Sequence, residues 1–188
     1  MSKLFKKEDF NSSNGMMTSI WGPLKWSELH IVSFNYPVKP TINDKKHYKS
    51  YLLSHQYVLP CMYCRINFLK NLKMANFNDK VFTDRDTFSR FIYKLHNCVN
   101  VMLGKKINIS YEEVRERYEH FRSRCSEEDR TKEMKQKEKS VKKEKNCDGA
   151  LYGVKSKSII RIVPKEKKTP CFKMEGKCKT KKSRKKID

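Results

Sequence analysis

The chain has 188 residues and carries 43 Lys+Arg against 21 Asp+Glu, a formal charge of +22. Its length suits one domain with an appendage, and it contains no apolar run of about 18 or more residues that would span a membrane. The N-terminus, MSKLFKKEDFNSSNG, lacks the apolar centre of a secretory signal, so none is expected. The charge points to nucleic acid or another anionic surface, whereas seven cysteines point to redox or metal chemistry.

The distribution of charge and apolar residues separates two regions. Residues 1–125 hold 21 Lys+Arg and 11 Asp+Glu, net +10; residues 126–188 hold 22 and 10, net +12, in half the length. Both tryptophans lie in the first region, and of the Phe and Tyr residues only Tyr152 and Phe172 lie in the second. The first region therefore has the means to build a core, and the second has few.

In chain order, Pro23 lies near the start of a helix running to about Asn35, with Trp26, Leu29, His30 and Phe34 at helical spacing. Pro37 and Pro40 end it. Asn43 or Asp44 caps a second helix over 45–59. Pro60 opens a third, carrying Cys61, Cys64, Phe68 and Leu72. Thr83 or Asp84 caps a fourth, whose Phe88, Phe91, Ile92, Leu95, Val99 and Met102 form one apolar stripe, and Gly104 stops it. Ser110 and Glu113 form a capping box for a fifth, with Val114, Tyr118 and Phe121 on its buried face. Five helices with short loops, four of them amphipathic, predict an all-α helical bundle. Residues 127–146 are charged on every face and read as a linker. Residues 150–164, bounded by Gly149 and Pro164, read as one or two short strands. The terminal KTKKSRKKID is a basic tail. The expected organisation is an N-terminal arm 1–18, a helical domain 19–125, a charged linker 126–147 and a basic, cysteine-containing segment 148–188.

Cys61-Met62-Tyr63-Cys64 is a C-x-x-C that follows Pro60. At a helix N-terminus the first thiol gains from the helix dipole and from backbone N–H groups, which lower its pKa. The short spacing permits a small, reducible disulfide ring suited to exchange. Three other readings stand beside this one. Half of a zinc site would need a second ligand pair, for which only His96 and Cys98 are near to hand. A thioredoxin-type motif would need a preceding strand, which the helical context denies. Reduced structural cysteines are the third.

The fourth helix carries a second group. His96 and Asn100 are four apart and share a face, Asn97 lies beside them, and Lys105 and Lys106 follow at the helix end. Each alone reads as a solvated polar residue, and a charged histidine there would favour the helix dipole. Together they form a donor-rich strip that suits a nucleotide. Trp26 and His30, also four apart, offer a matching strip on the first helix, although a tryptophan more commonly packs a core.

These pieces in this order resemble the Erv/ALR family of FAD-linked sulfhydryl oxidases. The matching residues are Trp21-Gly22-Pro23-Leu24-Lys25-Trp26-Ser27-Glu28-Leu29-His30, then Pro60-Cys61-Met62-Tyr63-Cys64, then His96-Asn97-Cys98-Val99-Asn100 with Leu103-Gly104-Lys105. The resemblance covers residues 19–125. The Lys/Asn-rich composition and the tail look most like members encoded by large DNA viruses, which implies host cytoplasm or virion as the location. The family resemblance implies a four-helix bundle holding FAD in its mouth, with a short fifth helix across it, commonly dimeric. Dithiol proteins are the implied substrates and dioxygen the implied final acceptor, giving hydrogen peroxide. By the same resemblance Cys61 is the interchange thiol and Cys64 the flavin-proximal sulfur. Gly22, Trp26 and His30 line the cofactor from the first helix. His96, Asn97 and Asn100 bind it from the fourth, Lys105 or Lys106 lies near its phosphates, and Tyr118 packs on the adenine side. No metal is implied.

One feature departs from the pattern. Many members have a cysteine where this chain has Ser110, paired with one near Cys125, so that staple does not form here. Ser110 caps a helix instead, worth about 1 kcal/mol. Cys98 reads as a small core residue. Cys171 and Cys178, with Cys147 further back, read as a shuttle pair relaying electrons from large substrates, or as a staple of a C-terminal module. The rival from another class is a basic nucleic-acid-binding or virion structural protein whose C-x-x-C is merely structural; the basic tail also suits tethering to nucleic acid or an anionic surface.

Overall fold

A computed structural model describes residues 6–123 and, beyond them, 149–151, 154, 156–164, 166–167 and 175. The helices are α1 (Lys7–Phe10), α2 (Thr18–Phe34), α3 (Ile42–Val58), α4 (Met62–Met74), α5 (Arg85–Met102) and α6 (Tyr111–Glu119), with a 3-10 turn at Asp79–Phe82. Two compact units divide the chain, Met1–Asn108 and Ile109–Asp188. In the first, α2, α3, α4 and α5 form the expected bundle: α5 packs on α2, α4 and the 3-10 turn, and α3 packs on α4 and that turn. No helix among the described residues is long and apolar enough to cross a membrane.

The core forms where these helices turn their apolar faces inward. Leu29 comes from α2, Leu52 from α3, Phe68 and Leu72 from α4, and Phe88, Phe91, Ile92 and Leu95 from α5, all buried. Each such side chain contributes about 1.5–3 kcal/mol relative to exposure. Tyr36, in the α2–α3 connection, is fully buried. Its hydroxyl donates to the Phe82 carbonyl at 3.0 Å, and its own carbonyl accepts from Arg85 Nε at 2.5 Å. The buried residue thereby has both its hydroxyl and its backbone carbonyl paired.

Several boundaries differ from the sequence expectation. α2 begins at Thr18, so Pro23 lies near its start, in the second turn. Long-range anchoring of the preceding residues, described below, fixes the entry, although a proline there loses one backbone bond and crowds the carbonyl four residues back. α3 is capped by Thr41, not by Asn43 or Asp44. Thr41 Oγ1 accepts from Asp44 N–H at 3.1 Å, and Asp44 returns the bond to Thr41 N–H at 2.8 Å, a capping box with aspartate at its third position. α5 is capped by Asp84, whose carboxylate accepts from Thr87 N–H at 2.8 Å. Its apolar stripe is buried through Leu95, but Met102 is exposed. Gly104 follows with φ +67°, the left-handed conformation that ends a helix without Cβ strain.

In the second unit, Ser110 and Glu113 form the expected capping box of α6, Ser110 N–H donating to Glu113 Oε2 at 2.8 Å. Tyr111 is buried and Val114 and Tyr118 are half-buried, but Phe121 is exposed, contrary to expectation. Phe121 lies beyond the helix end, where the 3.6-residue period no longer sets its direction. Among the described residues there is no strand. Ser123 and Ala150 form one isolated antiparallel bridge, and Leu151 N–H donates to the Arg122 carbonyl at 2.9 Å. The Ile- and Val-rich stretch 158–163 is not paired into a ladder, and without a partner strand its propensity has nothing to act on. Cys125, Cys147, Cys171 and Cys178 lie outside the described residues.

Candidate active site

Pro60 ends the approach from α3, and Cys61 sits in extended backbone as the N-cap of α4. Its sulfur accepts from the Cys64 N–H at 3.3 Å. A thiol in the N-cap place faces the unpaired amides of the first turn and the positive end of the helix dipole. The Cys61 pKa falls below the ordinary thiol value, first because the Cys64 thiol hydrogen-bonds to it, then through the N–H groups of Cys64 and Tyr63 and the nearby Arg65 guanidinium. Cys64 goes the other way, pushed up to about 12 by burial, by its hydrogen bond with Cys61 and by the Cys61 charge. Of the reduced pair, Cys61 is therefore the thiol that ionises more readily, and Cys64 the one that holds its proton.

The turn is tied down from two sides. Arg65 Nη1 donates to the Leu59 carbonyl at 2.6 Å. From the N-terminal arm, Met16 N–H donates to the Pro60 carbonyl at 2.8 Å, and Met16's own carbonyl accepts from Trp21 Nε1 at 3.0 Å. The approach needs glycine at position 15: a Cβ there would sit 2.4 Å from the Pro60 oxygen and 3.2 Å from Cys61 Cα. None of these ties to Pro60 and Leu59 was visible in the sequence. Arg65 alone left a signal, as a cation next to the C-x-x-C.

The second group lies on α2 and α5. Trp26 and His96 stack with centroids 4.1 Å apart and planes 6° from parallel. His30 Nε2 and His96 Nδ1 are 3.1 Å apart, joined by one hydrogen bond. Burial pushes His30 down to about 3, helped by His96, and pushes His96 down to about 4, helped by Lys105. Both rings are neutral at pH 7, so the dipole role of a charged His96 is not the one it plays. Asn97 and Asn100 are half-buried on the same helix, and Lys105 and Lys106 are exposed just beyond it. Gly22 is half-buried in α2, and a Cβ added to it would meet nothing within 4 Å. Cys98 is half-buried against the core, as expected. Tyr118 belongs to the second unit, and the expected shuttle Cys171 and Cys178 fall outside the described residues. Among the described residues no group of three or more His, Cys, Asp or Glu is arranged to hold a metal ion.

Sequence reasoning missed one further network. Glu28 takes Lys25 Nζ at 2.8 Å on one oxygen and the Tyr51 hydroxyl at 2.8 Å on the other. It ties α2 to α3. Glu28 and Lys25 are three apart, a signal the sequence does carry; the tyrosine is not locatable without the fold.

The Erv1 / Alr family model matches residues 24–119, half of the chain. The chain belongs to the Erv1/Alr family. Within it, the chain is 37% identical over 99 residues to a protein of Acanthamoeba polyphaga mimivirus named probable FAD-linked sulfhydryl oxidase, covering 53% of this chain and 68% of that one. It is 31% identical over 86 residues to the FAD-linked sulfhydryl oxidase ERV1 of Arabidopsis thaliana, covering 46% and 44%. The fold is similar to the crystal structure of a double cysteine-to-serine mutant of Erv1 from Saccharomyces cerevisiae, with TM-score 0.50 and 21% identity over 63% of this chain and 95% of that one. The helical bundle of this Erv1/Alr member is thus the family's bundle. Its tail, beyond residue 119, lies outside the family match.

Proposed function

We propose that this Erv1/Alr protein is a FAD-linked thiol oxidase that forms disulfides in dithiol proteins. The observation that carries the reading is the unequal C-x-x-C at the head of α4: an activated Cys61 and a Cys64 that retains its proton. In the oxidised enzyme a substrate thiolate attacks the Cys61 sulfur, the Cys61–Cys64 bond breaks, and the Cys64 thiolate leaves. The second substrate thiolate then attacks its partner sulfur, releasing oxidised substrate and the Cys61 thiolate. The substrate loses two electrons and two protons, and the pair gains both electrons.

Bound FAD supplies the two-electron acceptor that links the reduced pair to dioxygen, which leaves as hydrogen peroxide. The residues present fit such a group. Gly22 lies inside a helix, where glycine costs about 0.5–1 kcal/mol, yet no protein atom requires it. The space it opens is suited to a ligand. Trp26 and His96 form a flat stacked face, and the neutral His30–His96 pair donates and accepts without bringing charge. Asn97 and Asn100 supply amides, and Lys105 or Lys106 supplies a cation for the pyrophosphate. Tyr118 is assigned the adenine side, within a domain taken to run from 19 to 125. A homodimer is the assembly this reading takes.

The purified protein should be yellow, with a flavin absorption spectrum, and should consume oxygen and produce hydrogen peroxide with dithiothreitol. A colourless protein that retains zinc overturns the reading. Host cytoplasm or virion is the compartment proposed. The basic residues 126–188 are proposed to tether the enzyme to an anionic surface, and Cys171 with Cys178 to relay electrons. Salt-independent partitioning of the full chain on heparin would remove the first. Unchanged oxidation of a folded protein dithiol by the Cys171→Ser, Cys178→Ser variant would remove the second.

A further inference from the structure

In a chain where charged residues make up 34%, two segments have none. Residues 10–24 carry no Lys, Arg, Asp or Glu, and neither do residues 50–64. The fold brings these two segments together at the redox turn, through the Met16 N–H to Pro60 carbonyl bond at 2.8 Å and the close passage of Gly15 over Cys61 Cα. The side chains they expose there are large and apolar. Met16, Met17 and Tyr63 are each 70% exposed, and Met62 and Ile66 each 54%. Met62 and Ile66 are four apart and Tyr63 and Ile66 three apart, so the first turns of α4 show one continuous apolar face. A folded monomer rarely leaves such residues contiguous without a use.

We propose that this surface is a docking collar for uncharged, apolar segments of client proteins, which it seats beside Cys61. The proposal rests on the thiol-oxidase reading and specifies its substrate: a protein whose cysteine pair lies in an apolar stretch, as in an unfolded or partly folded chain. Three observations support that occupant over a charged one. The surface is continuous with the thiol that would be exchanged. Apart from Arg65, whose guanidinium is turned to the Leu59 carbonyl at 2.6 Å, it lacks charge in a molecule of net +22, so most of the attraction for acidic partners is directed elsewhere. Three of its five side chains are methionine, and flexible thioethers adapt to varied apolar sequences.

The test uses the full-length, flavin-loaded protein and two synthetic peptides with the same cysteine pair, one flanked by Leu and Phe, the other by Asp and Glu. Attraction by the net charge alone would favour the acidic peptide; the collar favours the apolar one. The expected result is a KM for the apolar peptide about tenfold lower. In the Met16→Ser, Met17→Ser variant that advantage disappears while kcat and dithiothreitol oxidation stay unchanged. Gly15→Ala, which pushes the arm off the turn, should remove the same preference. Equal or better use of the acidic peptide, or a preference that survives both variants, overturns the proposal. Fluorescence anisotropy with cysteine-to-serine versions of the peptides reads docking without turnover. A protein that binds the apolar peptide but does not oxidise dithiothreitol would therefore sink the oxidase reading and leave the collar standing. If Met16→Ser, Met17→Ser splits a dimer in sedimentation and leaves peptide binding intact, the surface seats a second copy and the client role is wrong.

Discussion

Two pairs of like groups sit in the first unit, and burial treats them oppositely. Cys61 and Cys64 diverge, one below the ordinary thiol range and the other at about 12. His30 and His96 move together, to about 3 and about 4. The difference lies in where each pair sits. Cys61 is near the surface at a helix N-terminus, where the Cys64 thiol, then backbone amides and Arg65, stabilise an anion. Cys64 is deeper, and burial, its bond to Cys61 and the Cys61 charge hold its proton on, outweighing the same Arg65. The histidines lie between α2 and α5 with Trp26 stacked on one of them, and burial leads for both. Neighbouring titratable groups become unequal when one is the more buried and bonds to the other's charge, and stay alike when burial dominates both.

The largest test removes the first pair. Cys61→Ser or Cys64→Ser should each cut dithiol oxidation roughly 10⁴-fold, with the flavin spectrum retained because neither thiol belongs to the cofactor-holding group. Retained activity in Cys64→Ser would contradict the assignment. Next, the second pair makes stability depend on acid. Between the ordinary histidine value of 6.5 and the folded values near 4 and 3, the unfolded chain binds protons that the folded chain does not. Stability is therefore full above about pH 6.5 and falls as pH is lowered through that window, by up to about 1.4 kcal/mol per pH unit for each ring. Thermal unfolding from pH 7.5 to 4.5 checks this, and His30→Gln should flatten the slope. A profile unchanged by that variant would show that the rings are not the source. The smallest effect concerns the cation beside Cys61. Arg65→Gln should raise the Cys61 pKa and slow its alkylation by iodoacetamide at pH 7 about threefold, leaving the acid unfolding profile as it was.

How much of this was legible from residues alone depends on whether the cause was local. α5 could be read because its periodic apolar face, its Asp84 cap and Gly104 all act within a few residues. The Cys61 N-cap followed from Pro60 and the helix behind it. The start of α2 could not be read, because what sets it is Met16 reaching Pro60, 44 positions away, and Trp21 reaching back to Met16. Asn43 and Asp44 were good cap candidates by type, yet Thr41 took the place because Asp44 serves as its third-position partner. His96 looked like a solvated helix-end residue; only the packing of α2 on α5 makes it neutral. The strand expectation for 150–164 rested on propensity, which is silent about partners.

The single bond between His30 Nε2 and His96 Nδ1 has a consequence for recognition. With both rings neutral, one must give a proton to the bond and the other must take it. If His30 gives, His96 keeps its own proton on Nε2 and is a donor there. If His96 gives, its Nε2 is left bare and is an acceptor. The two rings thus behave as one unit with two settings of equal charge. A ligand atom that meets His96 selects between them by whether it carries a lone pair or a hydrogen, and the choice is passed on to the buried ring on α2.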